Sequence, residues 1–422
     1  MFCRSCMAKN SIGMNRRSFI KTASAISMTG AVAGCIGDSG GSNTVTIGAM
    51  GPLSGAYAVY GENGQKGAEL AVNKLNDEQD QVEYELETAD TEGSPSTGVQ
   101  RARQLVQDGD ADVLLGFASS AVLQAVAEFA ANEDVIVLGT IAQTPSIVEE
   151  PNCRENVFRT SASDVTINTG LARATAELTD FEEPVTIASI IPDYVFGRET
   201  YNTFLSEFEN QVNNVEVVSE ASPELGKGEY QNEIQNIIDE EPDILYTSFL
   251  GSDLDALIQQ GKQRGLFDIV SEFVNGGSAI MNTSLSFGQE MVEMIASERY
   301  YFQYPDTERN LDFVSNYRDN YGEIPVNVAQ ENYAGVLAVH GAIEATDGGT
   351  SKDDMISGLE GLEFESPEGT KKIRAEDHQV IEENIWAGRL QPLRDYNFYG
   401  FTNMNPIPGA EVTPEPKCNF NS

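Results

Sequence analysis

Two adjacent serines, Ser119 and Ser120, are the residues best placed to do chemistry. They follow a short apolar run, Val113-Leu114-Leu115, that Gly116 breaks. After them Val122, Ala125, Val126 and Phe129 recur at helical spacing, so the pair sits where a helix begins. Hydroxyls and unpaired N–H groups at a helix start suit a carboxylate or another hydrogen-bond acceptor. By itself the pair also fits an ordinary serine-capped turn. A serine nucleophile would need a base, and the chain has two histidines. His340 shares a helical face with Val336, Val339 and Ile343, as a partly buried structural residue would; His378 lies in a charged, hairpin-like stretch. There is no phosphate-binding loop and no H-E-x-x-H. The residues therefore predict capture of a small molecule rather than turnover, with no cofactor and no metal.

The elements that must position these serines alternate regularly. Val113–Leu115 and Val135–Leu138 read as strands buried on both faces, with a helix between them and a loop, Ile141-Ala142-Gln143-Thr144, after the second. Both loops fall at carboxyl ends of parallel strands, the rim where open α/β sheets bind ligands. Upstream, Val45-Thr46-Ile47 opens a first strand. Gly51-Pro52-Leu53-Ser54-Gly55 is turn-rich, Tyr57 and Tyr60 stand at its end, and Val82 to Thr88 alternates like a half-exposed strand. After Thr160 a second series begins: a strand at 185–191, the loop Pro192-Asp193-Tyr194-Val195-Phe196-Gly197, further strands at 215–218, 244–249 and 273–274, and helices near 230–238 and 253–264. Helices are expected at 97–107, 310–321, 331–346 and 352–361, and the tail from about 390 reads as irregular. Strand and helix alternating through two blocks predict an α/β protein with two doubly wound domains.

Charge narrows the partners. The 422 residues carry 66 acids against 26 bases, a net −40, spread along the chain. That excludes nucleic acid and an anionic membrane face as general partners and fits life at high salt, where self-repulsion is screened. The leader differs: its first 34 residues hold five cations and no acid, so the remainder carries −45. Asn15-Arg16-Arg17-Ser18-Phe19-Ile20-Lys21 looks like a twin-arginine export signal. The run Ala23 to Gly34 is too short to span a membrane. Val32-Ala33-Gly34-Cys35 resembles a lipoprotein cleavage box with Cys35 as the lipidated terminus, and 36–43 reads as a flexible tether. Met14 fits a start as well as Met1. Cys3 and Cys6 have no second pair to make a metal or redox site. Cys153 and Cys418 remain; outside the cell they could pair, and sequence leaves that open.

The chain resembles the periplasmic leucine/isoleucine/valine-binding family, the substrate-binding lipoproteins of branched-chain-type ABC importers. The resemblance covers most of the mature chain. It rests on the order and spacing of Ile47 to Gly55 with Tyr60-Gly61, Asp90-Thr91, Gly116 to Ser120, Phe158-Arg159-Thr160, Pro192-Asp193-Tyr194 with Phe196-Gly197-Arg198, Ser366-Pro367-Glu368-Gly369 and His378-Gln379. It implies a type I periplasmic binding fold, two Rossmann-like lobes joined by a three-crossover hinge that closes on ligand. Lobe 1 is expected to span 44–160 and 302–388, lobe 2 161–301 and 389–422, with crossings near Thr160, Tyr301 and Gly388. It implies a ligand carboxylate held by Ser120 with Ser119 beside it, completed by Ile141, Ala142, Gln143 and Thr144. Gln143 stands where the family has a threonine. Tyr60, Tyr194 and Phe196 are expected as aromatic walls, and Gly277 at the second lobe's rim. It also implies ABC permease and ATPase partners, a lipid anchor as the sole membrane contact, and a place at the outer face of the cell membrane.

Two departures bear on the solute. Family members that bind α-amino acids usually present an acid after a strand of the second lobe; here that position reads Asn275-Gly276-Gly277-Ser278. A second-lobe tyrosine expected near Leu250 is also missing. An ammonium in a dry cleft needs a carboxylate or several acceptors, for which Asp193, Asp253 and Glu331 are the candidates. Branched-chain or other amino acids, amides and organic acids all stay open. The same fold also serves ligand-sensing receptors, and a hydrolase built on Ser119 or Ser120 is the remaining rival.

Overall fold

The computed structural model describes residues 43–55, 57–78 and 82–420. The twin-arginine run, Cys35 and residues 36–42 of the tether lie outside the described residues.

The first lobe opens with β1 (Asn43–Gly51), α1 (Ala58–Asp77), β2 (Val82–Asp90), α2 (Pro95–Gln107), β3 (Val113–Gly116), α3 (Ser120–Ala130), β4 (Ile136–Gly139) and β5 (Val157–Arg159). These strands pair in the order β2-β1-β3-β4-β5, all parallel. β3 and β4 are buried at every residue, whereas β2, at the edge, alternates buried with exposed, as the two kinds of apolar run predict. The chain then crosses to the second lobe: α4 (Asp164–Leu178), β6 (Val185–Ile190), α5 (Val195–Gln211), β7 (Val215–Ala221), α6 (Gln231–Glu240), β8 (Ile244–Thr247), α7 (Gly251–Arg264), α8 (Leu266–Ile269), β9 (Glu272–Asn275), α9 (Ile280–Phe287) and β10 (Met294–Glu298).

It continues through α10 (Glu308–Tyr321), α11 (Asn327–Ala345) and α12 (Lys352–Leu359) into a small antiparallel sheet of β11 (Glu363–Ser366), β12 (Gly369–Ile373) and β13 (Val380–Glu382). α11 packs along α1 so closely that a Cβ on Gly67 would lie 1.8 Å from the carbonyl oxygen of Ala329. β14 (Asn384–Pro392), β15 (Tyr399–Pro408) and α13 (Gly409–Val412) end the chain's regular structure. The second sheet runs β15-β14-β10-β9-β8-β6-β7.

Three expectations change here. The tail from about 390 is not irregular: β15 pairs antiparallel with β14 from Tyr399 to Pro408, and β14 pairs with β10. Its strand signal is hidden by Pro392, Pro406 and Pro408, which an edge strand tolerates. Gly388 does not mark a crossing; it is the middle of β14, opposite Met404 and Ala296, and the chain passes between sheets at Glu383. Tyr300-Tyr301-Phe302, whose sequence at the expected second crossing reads as a hinge strand rather than a ligand wall, forms no strand; Tyr301 makes one isolated bridge, to Tyr304, and its ring packs edge-on against Phe401.

The crossings are held by buried charge. Lys371 Nζ of β12 lies 2.8 Å from Glu368 and 3.0 Å from Glu382, and Glu382 also accepts from the amide of Ala162 in the first crossing. After α13 the chain returns to the first lobe. Lys417 bridges to Glu149, Cys418 is disulfide-bonded to Cys153, and the Phe420 ring stacks on His378, which stacks on Phe158. The pairing left open by the sequence is therefore made, across a separation of 265 residues.

Closing so long a loop restricts the unfolded chain. Removing the bridge by Cys418→Ser should lower unfolding free energy by about 2–4 kcal/mol, read as a lower denaturant midpoint. The same midpoint in the wild type and the variant, with the wild type's bond verified by mass, would show that the bridge carries no stability.

Candidate ligand-binding cavity

A cavity of about 250 Å³ lies between the carboxyl edges of the two large sheets. The first lobe lines it with Pro52, Tyr57, Tyr60, Gly93, Ala118 to Ala121, Ile141 to Gln143 and Val328. The second adds Pro192, Tyr194, Phe196, Leu225, Ser248, Phe249, Leu250, Asp253 and Ala279, with Arg299 from the second crossing. Among the described residues, α1, α3, α5, α7, α9 and α11 all begin at this lining. Each contributes the positive end of its dipole and first-turn N–H groups. In a chain of net charge −40 this is a local anion-favouring field.

The serine loop is shaped by Gly116. Its φ of +113° suits glycine, and a Cβ there would lie 2.4 Å from the Met50 carbonyl oxygen. Ser119 is the N-cap of α3: its Oγ accepts from Val122 N at 3.4 Å. Ser120, the first helical residue, is thereby turned onto the lining. The neighbouring loop is fixed from below. Arg299 Nη1 donates to Ile141 O at 2.7 Å, Arg159 Nη1 to Ala142 O at 2.6 Å, Asp164 N to Gln143 O at 3.0 Å, and Arg159 Nη2 to Thr144 O. Four consecutive carbonyls are taken, and the Ile141 amide donates to Gly116 O at 3.2 Å, which leaves the amides from Ala142 onward as the loop's remaining backbone groups.

Of the ten residues expected to contact ligand, Tyr60, Ser119, Ser120, Ile141, Ala142, Gln143, Tyr194 and Phe196 share this lining. Thr144 and Gly277 do not. Thr144 is fully buried beneath the loop, its hydroxyl 2.7 Å from Ser146 Oγ. Gly277 is packed under Leu250, and its carbonyl faces Gln143 Nε2. The candidate acids separate as well. Asp193 is exposed and paired with Arg198. Glu331 is buried, 3.1 Å from Arg299 Nε. Asp253 lines the cavity, but its oxygens accept from Tyr230 Oη at 2.5 Å and Gly226 N at 2.8 Å.

Tyr57, Leu225, Ser248, Phe249, Leu250 and Arg299 were not among the expected contacts, and Asp253 was expected only as a candidate acid. A signal existed for several, since Ser248 to Asp253 directly follow a strand and Tyr57 directly precedes a helix. Arg299 carried none.

Burial raises the phenols of Tyr57, Tyr60 and Tyr194, so all three stay neutral hydrogen-bonding groups. Burial lowers Arg159 to about 10, still cationic at neutral pH. Burial pushes Glu331 up to about 8, opposed by Arg299, Lys371 and Arg159 and aided by Glu382.

A family model described as periplasmic binding protein matches residues 44–394. A relative named Leu/Ile/Val-binding protein homolog 6, from Brucella suis biovar 1, is 24% identical over 85% of this chain and 90% of its own. Among solved structures, a solute binding protein of an ABC transporter from Rhodopseudomonas palustris BisB5, in complex with 3,4-dihydroxybenzoic acid, superposes with a TM-score of 0.76. It is 21% identical and covers 88% of this chain and 99% of its own. An amino acid ABC transporter substrate-binding protein from Pseudomonas fluorescens Pf-5 gives 0.76 at 21% identity, covering 90% and 99%.

Glu331 generates a pH signature. Its folded pKa lies above the ordinary carboxylate value, so its contribution to stability is full below pH ~4.5 and is lost as pH rises through about 8. Relative to Glu331→Gln, the wild type should lose on the order of a few kcal/mol between pH 4.5 and 8, read from unfolding midpoints. Parallel profiles would mean that Arg299 keeps the carboxylate ionised throughout.

Proposed function

The chain belongs to the periplasmic binding protein family, and from that premise we propose that it is the extracytoplasmic solute receptor of an ABC importer. It captures a small carboxylate with a largely apolar body between its lobes and passes it on unchanged to a permease and ATPase. The observation that carries this reading is the convergence of helix starts and Ser120 on one cavity between the lobes. Fixed dipoles and hydroxyls hold an acceptor group without a cation of their own. Tyr57, Tyr60, Tyr194, Phe196 and Phe249 line the rest of the cavity and suit an aromatic or branched body. The dihydroxybenzoate in the Rhodopseudomonas structure and the amino-acid assignment of the Pseudomonas one support a carboxylate.

A zwitterionic amino acid is the second reading, favoured by Asp253 at the lining. Both its oxygens already accept hydrogen bonds from the protein, so we place the organic acid first. In this reading Tyr60, Ser119, Ser120, Ile141, Ala142, Gln143, Tyr194 and Phe196 contact the solute. The lobes divide at about 160, 300 and 383 and close by rotation about those crossings. The twin-arginine run and Cys35 deliver the protein to the outer membrane face and tether it there by lipid.

A thermal-shift panel of benzoates, branched-chain amino acids and short organic acids tests the reading, since a ligand bound only by the folded state raises the midpoint. Ser120→Ala should weaken the best ligand by about 1–3 kcal/mol; an unchanged affinity would remove Ser120 from the site. The midpoint of the free protein should rise between 0.1 M and 1 M salt, as the Debye length falls from about 10 Å to about 3 Å. A flat response would remove the high-salt reading of the acidic surface.

A further inference from the structure

Besides Tyr60 Oη, two buried oxygens at the cavity have no hydrogen-bond partner among the described residues: Ser248 Oγ and Gln143 Oε1. Ser248 is 0% exposed and Gln143 5%. Leaving such an atom unpaired is costly, so a buried orphan at a ligand cavity points to the ligand. The two belong to one end of the cavity. Ser248 directly follows β8, whose last residue, Thr247, is in register with Asn275 of β9. Gly276 N, just beyond, donates back to Thr247 O at 2.8 Å. Gln143 reaches across from the first lobe to the loop after β9. Its Nε2 donates to Ser278 Oγ at 2.6 Å and faces Gly277 O at 3.4 Å.

A carbonyl only accepts, so the Gly277 contact fixes which end of the amide is nitrogen. The oxygen left over can only accept. No protein donor among the described residues bonds to it. Asn275 is engaged with Phe249 O and Gly277 N, while Arg299 directs Nη1 to Ile141 O and holds Nε 3.1 Å from Glu331. The α3 end of the cavity offers donors; this end offers an unsatisfied acceptor and a hydroxyl able to accept beside it.

We propose that the solute carries, besides the group held at α3, an O–H or N–H donor that Gln143 Oε1 and Ser248 Oγ receive, and that this pair sets specificity. The inference rests on the reading of the site as a carboxylate receptor. It adds a consequence. Gln143 belongs to the first lobe and Ser248 to the second, so a ligand lacking the donor leaves both oxygens unpaired when the lobes are closed. Discrimination is therefore tied to closure.

The test is calorimetric titration at high salt with benzoate and its monohydroxy and monoamino isomers. At least one donor-bearing isomer should bind wild type about tenfold or more tighter than benzoate. Ser248→Ala and Gln143→Met should each bring that ratio to within about twofold. Thermal midpoints report whether each variant folds. If Gln143→Met does not fold, Ser248→Ala decides alone, because losing one small hydroxyl leaves the packing intact. If benzoate and every isomer bind wild type equally, or the preference survives in the folded variants, the inference is overturned while the carboxylate reading stands. If no benzoate binds but another solute raises the midpoint, the carboxylate body was misassigned and the inference falls with it.

Discussion

Parallel strand pairing is the constraint from which the rest follows. In β1 to β5 and β6 to β10 every neighbouring pair within the two sheets is parallel. A parallel crossover must carry the chain back along a helix, so each helix starts where a strand has just ended. All loops that precede helices are thereby gathered at one edge of each sheet. Setting the two edges against a common cavity brings α3 from one lobe and α5, α7 and α9 from the other to the same small volume. The positive character of the cavity is thus a property of topology. It needs no surplus of basic side chains, and a chain with 26 bases against 66 acids has none to give.

Two buried arginines convert that field into a shaped site. Arg159 closes β5 and Arg299 follows β10, and both reach under the loop from Ile141 to Thr144. Guanidinium groups present several donors in a fixed plane, and here they pin successive carbonyls away from the cavity. Burying such charges is expensive. Glu331 lies 3.1 Å from Arg299 Nε, but burial resists its ionisation, so the carboxyl offsets the arginine's charge only in part.

Much of this was readable locally. The apolar runs of β3 and β4, the Gly116 break and the Ser119 cap are neighbours in sequence, and short-range periodicity carries them. Their position in the lining then follows from the βα rule. What failed was non-local or hidden. Thr144 and Gln143 differ by one residue, and in a loop that is enough to place one on the cavity lining and the other in the core. Arg299 reaches the cavity from the last parallel strand, with no motif to announce it. β14 and β15 carry prolines that mimic an irregular tail, and only their pairing with β10 makes them strands. The disulfide joins residues 265 apart, a distance that spacing does not encode.

Bond strengths across the lobes differ by place, and that difference decides how the molecule can move. At the crossings lie the charged contacts: Arg299 to Ile141 O, and Lys371 between Glu368 and Glu382, with Glu382 holding Ala162. The return of the tail through Cys418 and Phe420 adds a covalent and an aromatic tie on the first lobe. Away from the crossings the lobes meet through neutral groups: Gln143 with Ser278, Asn327 with Ser278 O, and Asn63 with Asn282 at 3.4 Å. Neutral hydrogen bonds that water can replace contribute only about 0.5–1.5 kcal/mol each, whereas charge-assisted bonds are about twice as strong. Opening therefore breaks the weak contacts and spares the strong ones, which makes the crossings the pivot. A closed form held across the cavity by a few neutral bonds loses little hydrogen-bond energy on opening. The modest differential affinity of a small solute is then enough to shift the balance.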